Sequence, residues 1–68
     1  MSLVKRSLTI KGHSTSISLE PEFWEALHAA ARNRTISIAA LVAEIDQSRG
    51  DSNLSSAIRV WLLGRAKI

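Results

Sequence analysis

Three serines at alternate positions, Ser14, Ser16 and Ser18, are the residues whose type and spacing most directly suggest a chemistry. In an extended chain, side chains two apart share one face. These hydroxyls would then form a row able both to donate and to accept hydrogen bonds. Such a row can meet either kind of polar edge, with less discrimination than a bidentate Arg or Asn gives. Lys5, Arg6 and Lys11 lie just before it, in a stretch, residues 1–19, that holds no acid. Basic segments of this kind attract polyanions such as nucleic acid, because each cation that meets a phosphate releases a condensed counterion. A solvated basic tail accounts for the same charge, since a net +3 is ordinary for the solubility of a small domain. On charge alone the two readings stand level.

Other chemistries find less support. There is no cysteine, and His13 and His28 are fifteen positions apart with no thiol nearby, so no metal is assigned. No Gly-x-Ser-x-Gly or phosphate-loop glycine pattern accompanies the many serines and acids. A chain of 68 residues can hardly wall a pocket of roughly 300 Å³ or more by itself. Binding is therefore expected rather than catalysis, with no cofactor. No apolar run approaches the roughly 20 residues that span a bilayer. Lys5-Arg6 is followed by Ser-Leu-Thr-Ile-Lys and not by a signal-peptide apolar region. The expectation is a cytoplasmic protein without a membrane partner.

The elements that must position the serines follow from periodicity. Thr15, Ile17 and Leu19 alternate with Ser16 and Ser18, the pattern of a half-buried strand. Ser7-Leu8-Thr9-Ile10 also has strand propensity, and Lys11-Gly12-His13 is a candidate turn between the two. Glu20-Pro21-Glu22 starts a helix, because Pro loses no needed hydrogen bond at the first position and acids complement the positive helix end. Phe23, Trp24, Leu27, Ala30 and Ala31 form its apolar stripe, which ends at Arg32-Asn33-Arg34. Ser37 caps a second helix carrying Ile38, Leu41, Val42 and Ile45, closed by Gly50 after Arg49. A third helix begins near Asp51 to Asn53 and turns Leu54, Ala57, Ile58, Trp61 and Leu62 inward, with Val60 and Leu63 off that stripe. Trp24 and Trp61 sit on apolar stripes, so core packing is preferred over base stacking. The C-terminal stretch is again basic through Arg59, Arg65 and Lys67.

The whole chain, 1–68, reads as one domain. A domain this small buries only about 60% of the surface its unfolded chain exposes. Without disulfide or metal, self-association is the remaining ordinary supplement. The one clear strand also needs a partner for its backbone groups. The same strand of a second copy, paired along residues 14–19, is the expected one. The helices of both copies would then share a core of Ile17, Leu19, Phe23, Trp24, Leu27, Leu41, Ile45, Ile58 and Trp61.

Four blocks together resemble the ribbon-helix-helix family, which includes the Arc and Met repressors, and in particular its short stand-alone bacterial members. They are Lys5-Arg6-Ser7-Leu8-Thr9-Ile10, Thr15 through Leu27, Leu41-Val42-Ala43-Glu44-Ile45-Asp46, and Asn53 through Trp61. The resemblance implies a mainly α fold: a ribbon-helix-helix with an added C-terminal helix, in an intertwined homodimer with a two-stranded antiparallel ribbon. It implies a repressor-like transcription regulator whose ribbon enters the major groove of double-stranded DNA, placing Ser14, Ser16 and Ser18 on base edges. Phosphates would be held by Lys5, Arg6 and Lys11, and at the start of the second helix by Ser37 with the amides of Ile38 and Ala39.

Two positions depart from the family's pattern. Relatives often carry Arg where this chain has Ser14, which shifts specificity toward Arg6, Lys11, His13 or DNA shape. Thr35 stands where relatives commonly have Gly. Thr tolerates a positive φ poorly, so the turn is expected to differ or Asn33 to take the left-handed position. Arg59 is expected to pair with a carboxylate or carbonyl at the dimer interface. The alternative function on the same fold is a protein-interaction or oligomerisation module, or an antitoxin component, with Val60 and Leu63 as a possible protein contact.

Overall fold

The computed structural model describes residues 2–66, so Lys67 lies outside them. The order is β1 (Val4–Ile10), β2 (His13–Leu19), α1 (Pro21–Asn33), α2 (Ile38–Ser48) and α3 (Leu54–Ala66). No helix among the described residues is long and apolar enough to cross a membrane.

The stretch around Ser7–Ile10 is a full strand. β1 runs antiparallel to β2 from Val4 opposite Leu19 to Ile10 opposite His13. The turn between them is Lys11-Gly12 alone, with φ of 52° and 81°. Two consecutive positive φ values mark a type I′ turn, whose twist matches that of the flanking strands. His13, expected in the turn, is instead the first residue of β2. The ribbon within one chain is thus a local hairpin, and one edge of β2 is satisfied by β1 rather than by a second copy. A two-residue connection closes at small entropic cost.

The core also closes within one chain. Ile17, Leu19, Trp24, Leu27, Leu41, Ile45 and Ile58, assigned above to a shared core, are buried together with Ile10, Ala30, Ala31, Val42 and Leu62. Phe23 and Trp61 are partly buried against this cluster. α2 packs on β1, α3 on β2, and α1 against β2 and both other helices. Val60 and Leu63 remain 66% and 54% exposed, off the buried stripe of α3 as their spacing predicted.

The helix ends explain the two tight connections. At the end of α1, the Thr35 amide donates to the Arg32 carbonyl (3.0 Å) and the Ile36 amide to that of Ala31 (3.1 Å). This is the paired hydrogen-bond pattern of a Schellman motif, which needs a left-handed residue at its centre. That residue is Thr35 itself, at φ 57°. The expectation that the turn would avoid Thr35 is therefore overturned, and Asn33 is simply the last residue of α1. Ile36, packed against the core, supplies the apolar anchor that commonly accompanies this motif. Ser37 then caps α2, its hydroxyl accepting from the Ala40 amide at 3.0 Å. Asn53 does the same for α3, accepting from the Ser56 amide at 2.8 Å.

Candidate nucleic-acid interface

Residues directly opposite in an antiparallel pair point to the same face. The register therefore sorts the hairpin into two faces. Val4, Leu8 and Ile10 join Thr15, Ile17 and Leu19 on the side that meets the helices. Lys5, Ser7 and Thr9 stand opposite Ser18, Ser16 and Ser14 on the outward side. The outer face thus carries five hydroxyls and an ammonium, and no acid. Ser14, Ser16 and Ser18 form the predicted row, and β1 supplies a second row beside it. Sequence reasoning missed Ser7 and Thr9, although their alternation with Leu8 and Ile10 was a usable signal.

The candidate phosphate residues fall in four places. Lys5 lies on the outer face and Lys11 at the tip of the hairpin. Arg6 has the opposite orientation: its guanidinium lies over the Trp24 ring, 5.6 Å from the centroid, while the side chain stays exposed. The indole Nε1–H of Trp24 donates to the Val4 carbonyl at 2.8 Å, which fixes the ring under Arg6. Ser37, Ile38 and Ala39 are on a separate element, the start of α2, where the Ser37 hydroxyl is engaged as the cap.

Charge pairing separates the hairpin from the helices. Arg34 pairs with Glu44 at 2.7 Å, Arg49 with Asp46, and Arg59 with Glu20 at 2.9 Å. Among the described residues, no ion pair engages Lys5, Arg6 or Lys11. The helices neutralise much of their own charge and the hairpin keeps its own. Such an uncompensated cationic surface suits a polyanion.

Arg59 ties α3 to the base of the hairpin. Its Nε–H donates to the Glu20 carboxylate and its Nη2–H to the Ser18 carbonyl at 3.4 Å, with the guanidinium 6.0 Å from the centre of the Phe23 ring. Both kinds of expected partner are present, within one chain. A backbone hydrogen bond at Glu20 and the Arg59 contact hold the Glu20 carboxyl below the ordinary glutamate value. His13 and His28 are both exposed, and no group of three or more His, Asp or Glu among the described residues is arranged to hold a metal.

A two-stranded antiparallel ribbon leading into packed helices, with its polar face turned outward, defines a ribbon-helix-helix architecture. A profile of the ribbon-helix-helix domain family matches residues 3–66, and the chain belongs to this family. Proteins of the family are generally dimeric DNA-binding transcription regulators, and its domains are typically non-enzymatic. No curated protein and no solved structure matches the chain.

Proposed function

We propose that this protein is a small bacterial, cytoplasmic transcription regulator that binds duplex DNA sequence-specifically as a homodimer and acts as a repressor. The observation that carries the reading is the outer face of the hairpin: five hydroxyls with Lys5, and no acid. Hydroxyls meet donors and acceptors of base edges alike. Lys5, Arg6 and Lys11, together with the start of α2 at Ser37, Ile38 and Ala39, hold phosphates.

The second copy joins along β2. In a two-residue hairpin the pair flanking the turn is hydrogen-bonded, and the bonded and non-bonded pairs then alternate. The backbone groups of Ser14, Ser16 and Ser18 accordingly point away from β1, along an edge that no third strand among the described residues covers. The matching edge of β1 carries Lys5, and a lysine on an edge discourages strand addition. Three neutral serines pose no such obstacle to a two-fold pairing of β2 with its copy.

Fluorescence anisotropy with labelled duplexes across a salt series tests the function. Binding that weakens steeply and linearly in log–log form is expected. Absence of binding at low salt refutes it. A protein-interaction or antitoxin role on the same fold is favoured by one observation, the exposure of Val60 and Leu63 on α3. Co-purification of an unrelated protein, with no DNA affinity, is the result that would select it.

A further inference from the structure

The hairpin within each chain changes what a dimer joined along β2 presents to DNA. Two hairpins sharing that edge make a sheet in the order β1, β2, second-copy β2, second-copy β1. Strands in a sheet are spaced about 4.8 Å apart, so the outermost pair are about 14 Å apart and the central pair about 5 Å. The major groove of B-DNA is about 12 Å wide and accommodates a two-stranded ribbon. Only the central strands fit over its floor. The outer strands come to lie over its walls, which are sugar and phosphate.

We infer that the two strands of the hairpin divide the work: β2 reads bases through Ser14, Ser16 and Ser18, while β1 grips the backbones bordering the groove through Lys5, Ser7 and Thr9. The inference rests on the proposed function and on pairing along β2. The residue types agree with it. The one cation of the outer face is on β1, and a long ammonium suits a phosphate at the groove wall. The hydroxyls of Ser7 and Thr9 can donate to phosphate oxygens as readily as to bases. α2, whose first turn is the other candidate phosphate site, packs on β1. The phosphate-binding parts of each subunit therefore share a flank, outside the base-reading strand.

Ser7 and Ser16 face each other on one rung of the ladder, which gives a matched pair of deletions. The experiment is selection of bound duplexes from a random pool, followed by salt titration, for the full chain and for Ser7→Ala, Ser16→Ala and Lys5→Ala. Circular dichroism melting of each variant checks that the fold is kept. Ser16→Ala is expected to change the selected sequence, and Ser7→Ala to weaken all duplexes by one common factor without changing it. Lys5→Ala should lower the log–log salt slope by about 2 per dimer, a loss of affinity on the order of 30-fold at 0.15 M salt. A Ser7→Ala variant that changes the selected sequence as Ser16→Ala does, or an unaltered slope in Lys5→Ala, overturns the division between strands. Failure of the underlying reading looks different: the unmodified chain binds no duplex at low salt, or stays monomeric on DNA.

Discussion

The two faces of the hairpin come from the same seven-residue strands, yet they differ in almost every physical respect. On the inner face, Ile10, Ile17 and Leu19 are buried among helices that contact them from three elements. On the outer face, Lys5, Ser7, Thr9, Ser14 and Ser16 are exposed and Ser18 partly so. The strand period of two makes such separation possible, because alternate positions can be chosen independently. One set of residues fixes the fold. The other lies at the surface, so its hydroxyls should change with little effect on stability.

Two substitutions at adjacent positions would break that comparison most visibly. Ile17→Ala removes a side chain that is fully buried and should destabilise the protein by about 2–5 kcal/mol. Ser16→Ala should change stability by less than about 0.5 kcal/mol while altering DNA binding. Urea unfolding of both variants at one protein concentration decides it, since a dimer's apparent stability depends on concentration. Comparable losses from the two would mean that the outer face contributes to the fold.

How much of this was legible beforehand depended on whether one residue obeyed one rule. The strand 15–19 was plain because Thr15, Ile17 and Leu19 alternate cleanly with serines. β1 was weaker because Arg6 occupies an inward position between Val4 and Leu8. Its guanidinium lies over Trp24 instead of entering the core, a cation–π contact that sequence order cannot show. The helices, Ser37 as a cap and the outward Val60 and Leu63 followed from spacing. The site was half legible: the β2 serines were found as a row, but their partners Ser7 and Thr9 required the register. Thr35 was misjudged because local preference argued against a conformation that the Schellman bonds and Ile36 impose. Seven of the nine residues assigned to a shared core are buried and Phe23 and Trp61 are partly so, but their closure within one chain depended on a hairpin that was only weakly visible.

The same conformational cost occurs twice in the molecule, once at the tip of the hairpin and once in the turn before α2, which sharpens the comparison further. Thr35 and Lys11 are both non-glycine residues at positive φ. Thr35→Gly should stabilise by about 1 kcal/mol, by removing the clash of a β-branched residue in the left-handed region. It should leave the salt dependence of DNA binding unchanged. Lys11→Asn should stabilise by about 0.5 kcal/mol, since Asn-Gly is a preferred type I′ pair. Yet it should lower the salt slope by about 2 per dimer, because each chain loses one cation at the tip. Thermal melts and salt titrations of the two variants separate relief of strain from loss of charge. An unchanged slope for Lys11→Asn would take the hairpin tip out of the interface.

The smallest effect concerns the join between the two faces, where Arg59 holds both the Ser18 carbonyl and the Glu20 carboxylate. Glu20 has a lowered folded-state pKa, first through its backbone hydrogen bond and then through Arg59. A carboxyl whose folded pKa lies below its unfolded value binds fewer protons folded than unfolded near those pKa values. Its contribution to stability is therefore complete above the ordinary glutamate value, roughly pH 4.3, and is lost as pH falls through the folded value. Because the carboxylate is partly exposed, added salt should weaken the effect. Glu20→Gln should remove this part of the acid sensitivity, so the melting temperatures of the two proteins converge as pH falls from 6 toward 3. If they instead keep a constant offset over that range, protonation of Glu20 does not loosen Arg59, and the base of the hairpin is held without the ion pair.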